Sequence, residues 1–109
     1  MEEISMNTFE IESYINDHSS VLTDFRAKYL NFLNRKNAAC STDKKWSTLR
    51  IEREADKAVN NFIAQITSNI SSKLTNIQRK KSPEWIKCIE NNQVIDALEE
   101  SVIDLDFGD

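Results

Sequence analysis

Glycine and proline are almost missing: the 109 residues hold one of each, against averages of roughly 7% and 5%. An all-β domain needs many turn residues, so the scarcity excludes that class and points to all-α. Two cysteines, Cys40 and Cys88, are too few for a disulfide scaffold, and two free thiols are expected. His18 is the only histidine, so a zinc site of three or four Cys and His ligands has no second imidazole. No apolar run approaches the 18 residues of a membrane span. The N-terminal MEEISMNTFEIE is acidic, without a basic-then-apolar leader, and a cytoplasmic location without membrane contact is expected.

The same scarcities bear on catalysis. A phosphate loop requires glycines that the chain does not have. A Ser/His/Asp triad would have to use His18, and no strand-turn-helix nucleophile elbow is present. The expectation is a non-enzymatic protein with no cofactor and no metal.

What is present is helical periodicity. Val59, Phe62, Ile63, Ile66, Ile70, Leu74 and Ile77 recur in threes and fours, one stripe of a helix. The residues between them are largely Asn, Ser and Thr, mediocre helix formers. This helix therefore depends on burying its stripe. Ile11, Ile15, His18, Leu22, Phe25, Tyr29 and Phe32 alternate steps of four and three, a heptad seam. His18 on that seam reads as a polar core residue fixing register, or as a buried pH switch. Asn7 or Thr8 can cap the first helix.

The expected architecture is a single domain, 1–109, with helices at about 8–38, 43–81 and 83–104. That makes an elongated helical hairpin plus a third helix, a three- or four-helix bundle with an acidic C-terminal tail at 103–109. Ser41, Thr42 and Asp43 are good caps for the second helix, with breaks conceivable at Asn60-Asn61 or Ser68-Asn69. Ser82-Pro83-Glu84-Trp85 starts the third, and Glu90-Asn91-Asn92 leaves open whether it is one helix or two. The Trp46-Ser47-Thr48 triplet lacks the Gly of the Trp-X-Gly turn in small secreted helical-hairpin proteins, so no family is identified.

Net charge is −4, with the charges segregated. All 14 Lys and Arg fall within 26–88 against five acids, a net of +9, between two acidic flanks. Such asymmetry fits an anionic partner or a chain that neutralises itself on folding. Lys44, Lys45, Trp46, Arg50, Arg53, Lys57, Arg79, Lys80 and Lys81 could meet phosphates, with Trp46 stacking on a base. Alternatively, Arg79-Lys80-Lys81 complements a helix C-terminus and Trp46 packs near a turn. In the tail, Ile103, Asp104, Leu105, Asp106 and Phe107 alternate apolar and acidic residues. They suit a partner groove with basic rims, or Leu105 and Phe107 pack back on the bundle.

The functional expectation is a non-catalytic protein–protein interaction module: an adaptor, inhibitor, immunity-type or chaperone-like protein. It would bind through a helical face or the tail, as a homodimer or with another protein. The second class is a nucleic-acid-associated factor using 26–88.

Overall fold

The computed structural model describes residues 6–105 and Phe107. Residues 1–5, and Asp106, Gly108 and Asp109 of the tail, lie outside the described residues. The described residues are all-helical in their regular structure: α1 (Thr8–His18), α2 (Val21–Ala38), α3 (Thr48–Ser72), α4 (Ser82–Asn91) and α5 (Val94–Ile103). Short 3-10 turns at Thr42–Lys44 and Gln78–Lys80 flank α3.

Local chemistry explains most of these boundaries. Asn7 and Glu10 form a reciprocal capping box at the start of α1, at 2.9 and 3.2 Å. The single helix expected over 8–38 is instead divided at Ser19-Ser20. Ser19 is extended and its Oγ accepts from Val21 N–H at 3.1 Å, which starts α2 afresh. The same hydroxyl donates to the Glu99 carboxylate of α5 at 2.6 Å. The break also removes His18 from the seam: its side chain is exposed, with Nδ1 2.8 Å from the Tyr14 carbonyl and its ring stacked on Tyr14 at 4.2 Å. His18 is therefore neither a core register residue nor a buried group.

The helix expected over 43–81 is shorter at both ends. Asp43 accepts from Ser41 Oγ at 2.8 Å, and Lys45 is extended, so the true cap is Ser47, which accepts from Arg50 N–H at 3.2 Å. At the far end Thr75 and Gln78 hold each other's backbone N–H at 2.9 and 3.2 Å. This reciprocal box satisfies donors that a continuing helix would have used. Ile77, placed on the apolar stripe by its spacing, is consequently 70% exposed. Between these ends α3 runs unbroken through Asn60-Asn61 and Ser68-Asn69. The third expected helix, 83–104, is two: Asn92 closes α4 by donating to the Cys88 carbonyl at 2.9 Å, and Gln93 adopts the left-handed conformation, φ 52°.

The core gathers Ile11 and Ile15 of α1, Val21, Leu22 and Phe25 of α2, and Val59, Ile63, Ile66 and Ile70 of α3. Trp85, Cys88 and Ile89 of α4, Val102 of α5, and Met6 and Leu74 outside the helices complete it. Each fully buried Ile contributes roughly 1.5–3 kcal/mol, which offsets the poor propensity of the intervening residues. Trp85 Nε1–H donates to the Arg79 carbonyl at 2.8 Å, so its polar edge is satisfied. Cys88 is a buried and Cys40 an exposed free thiol.

α2 and α3 pack antiparallel, tied by Arg26–Asp56 at 3.0 Å and by stacked Phe25 and Phe62 at 4.4 Å. α1 and α4 pack on α3, and α5 on α2 and α4. The C-terminal half of α2 and the N-terminal turns of α3 extend past this body. They bury only Leu33, Ile51 and Ala55, which lie outside the main cluster. The described chain measures 56 × 29 × 22 Å with a radius of gyration of 16.7 Å, against about 13 Å for a compact domain of ~100 residues.

Candidate functional site

The projecting end of α2 and α3 is organised by one side chain. The Asn37 carboxamide brackets the Trp46 peptide: Oδ1 accepts from Trp46 N–H at 2.7 Å and Nδ2 donates to the Trp46 carbonyl at 3.2 Å. This fixes the extended run before α3 against α2. The half-buried indole then lies under the Arg50 guanidinium, 4.0 Å from the ring. Tyr29, Phe32, Leu33, Lys36, Asn37, Cys40 and Trp46 line a groove of about 330 Å³ here. Lys36 Nζ sits 5.1 Å above the Phe32 ring, so cations border the aromatic walls.

The C-terminal segment lies against the same helix. Lys28 Nζ donates to the carbonyls of Ile103 at 2.8 Å and Leu105 at 3.4 Å. A cation thus meets the unsatisfied carbonyls at the end of α5. Phe107 then enters an aromatic cluster on α2. It meets Tyr29 edge-on at 4.9 Å and Phe25 edge-on at 5.6 Å, and Phe32 at a tilt at 5.7 Å. Leu105 and Phe107 also wall a groove of about 590 Å³ with Lys28, Asn31, Asn34, Arg35 and Ala38. Of the tail residues singled out by sequence, Leu105 and Phe107 are half-buried and Ile103 and Asp104 exposed. Asp106 lies outside the described residues.

The nine basic and aromatic candidates do not form one surface. Lys44, Lys45, Trp46, Arg50, Arg53 and Lys57 sit at or near the start of α3, where Lys57 lies 3.7 Å from Glu54. Arg79, Lys80 and Lys81 follow its other end, and 25 residues of helix span roughly 37 Å. Arg79 is occupied there: Nε donates to the Ser71 carbonyl at 2.8 Å and Nη1 to Asn76 Oδ1 at 2.9 Å, closing the end of α3.

The heptad spacing places Tyr29 and Phe32 on a buried seam and Lys36 at the negative end of the helix, and it marks neither Lys28 nor Asn37. One signal was present: Tyr29, Phe32 and Lys36 are spaced by three and four residues, so a cation continues the aromatic strip. Among the described residues no group of three or more His, Cys, Asp or Glu could hold a metal ion, and no helix is long and apolar enough to cross a membrane. The Tyr14 phenol, on α1, is held above its ordinary value of 10.0, first by burial and then by the Glu90 carboxylate. Comparison with protein-family models, curated proteins and solved structures finds no match.

Proposed function

We propose that this chain is a non-catalytic interaction module, adaptor- or inhibitor-like, that binds another protein through the exposed face of α2 and the projecting α2–α3 end. In this reading α2 and α3 are the arms of a helical hairpin, and the acidic tail borders its binding face. The supporting observation is the open groove between Tyr29, Phe32 and Trp46. Aromatic residues beside cations are the residue types that anchor protein interfaces. The test is affinity capture by the tagged full chain, after nuclease treatment and at high salt, beside Phe32→Ala and Trp46→Ala. A partner kept by the wild type and lost by both variants supports the reading. A partner kept equally by all three overturns it.

A second reading has its own observation: exposed Lys44 and Lys45 adjoin the Arg50–Trp46 stack, a pairing suited to phosphates and a base. It predicts nucleic-acid affinity that falls linearly in log-log form with salt, by about 0.9 per duplex phosphate neutralised. The Lys44→Glu/Lys45→Glu double variant would then lose binding. Salt-independent affinity, or an unaffected double variant, removes this reading.

A further inference from the structure

We infer that the aromatic strip of α2 is a docking site for an acidic segment of a partner protein carrying a phenylalanine, and that the chain's own tail is its built-in competitor. This deepens the interaction reading and rests on it. The tail shows how such a segment sits. Phe107 presents itself edge-on to Tyr29 and Phe25, the favoured geometry for aromatic pairs. Two residues earlier Leu105 lies half-buried, and Lys28 holds the backbone through the Ile103 and Leu105 carbonyls. Aromatic, aliphatic and backbone elements are all engaged: the Phe107 ring, half-buried Leu105 and the carbonyls that end α5.

The seat also continues beyond the tail. Tyr29 and Phe32, which touch Phe107, are walls of the groove running to Trp46. On the other side Leu105 and Phe107 open onto the groove with Lys28 and Arg35. Charge selects the occupant. α2 carries Lys28, Arg35 and Lys36, with Arg26 already paired to Asp56 of α3 at 3.0 Å, and one acid, Asp24, which lies at its start and accepts from Ser20 Oγ at 3.0 Å. An acidic segment is attracted along the strip, and a basic one is repelled. The tail itself is a tethered ligand, present at the millimolar effective concentration of a short linker. If it fills the seat about nine-tenths of the time, a competing segment binds the intact chain about tenfold more weakly than the emptied seat.

The experiment titrates the synthetic peptide VIDLDFGD, the sequence of residues 102–109, into the full-length wild type and full-length Phe107→Ala. The expected result is binding to Phe107→Ala about tenfold tighter than to wild type. The peptide with alanine for its phenylalanine should show no detectable binding. Absence of peptide binding to a Phe107→Ala chain that keeps its wild-type circular dichroism overturns the proposal. So does a wild-type dimer in sedimentation that dissociates on Phe107→Ala, because the seat then belongs to tails exchanged between copies. Should Phe107→Ala lose its fold, isotope-labelled wild type is titrated with excess unlabelled peptide. Sharp, disordered-chain signals from residues 104–109 support displacement, and unchanged signals overturn it. A salt-resistant partner that depends on Phe32 and Trp46, found together with a silent peptide, rejects this inference and leaves the broader reading standing.

Discussion

Asn37 and Trp46 lie nine residues apart and exchange two hydrogen bonds, side chain to backbone, of 2.7 and 3.2 Å. The pair does for the α2–α3 connection what a strand pairing does for a hairpin: it satisfies a donor and an acceptor of an extended residue that no helix can serve. Asn37→Ala leaves both unpaired in a half-buried position. We expect a loss of about 1–3 kcal/mol in denaturant unfolding and faster hydrogen exchange at the Trp46 amide. Asn37→Asp keeps the acceptor and should retain the protection of that amide better than Asn37→Ala does.

Gln93 is the one non-glycine residue with positive φ among those described. A side chain in the left-handed region costs roughly 1–2 kcal/mol, and glycine avoids that while adding freedom to the unfolded chain. Gln93→Gly should therefore stabilise by about 0.5–1 kcal/mol, read as a higher melting temperature. Gln93→Val should destabilise, since β-branching is least tolerated there.

Trp85 is 4% exposed and ties α4 to the 3-10 turn through the Arg79 carbonyl. Trp85→Phe keeps an aromatic ring but abandons that acceptor. A loss of about 1–3 kcal/mol is expected in chemical unfolding. Trp85→Ala, which also opens a cavity, should cost about 3–5 kcal/mol.

Tyr14 supplies the pH dependence. Burial, with Glu90 adding to it, makes the neutral phenol the form the fold favours. With the folded value above the unfolded one, its contribution to stability is complete below pH 10, where the unfolded chain titrates. It is lost as the pH rises through the folded value. Wild type should lose stability above pH 10 more steeply than Tyr14→Phe in denaturant titrations. Absorbance at 295 nm should show a late-titrating phenol that Tyr14→Phe removes.

The buried side of the fold was largely legible, because periodicity reports burial directly. Val59, Ile63, Ile66 and Ile70 are all in the core, as their spacing demanded. The breaks were less legible. The heptad runs straight across Ser19-Ser20, and the carboxylate that accepts from Ser19 Oγ belongs to Glu99, 80 residues away. The Thr75–Gln78 box was available as an S/T-x-x-E/Q pattern, but the apolar stripe reaching Ile77 outweighed it. The site was hardest to read. Tyr29 and Phe32 looked like core residues because hydrophobic spacing cannot tell a ring covered by a helix from one covered by Phe107. Sequence could place Phe107 in a tail, but its position depends on how α5 lies on α2.

α3 is one continuous helix, yet its two ends differ in how they are held. From Val59 to Ile70 it contributes to the main core, whereas Ile51 and Ala55 of its first turns are buried outside that cluster. Opening free energies follow buried contacts, so this single rod should separate in time into a slow-exchanging segment and a fast one, with the change between Ala55 and Val59. The projecting end can loosen and re-form without disturbing the body, and a partner bound there would be read as slowed exchange at Thr48–Ala55 while Ile63 and Ile66 report nothing.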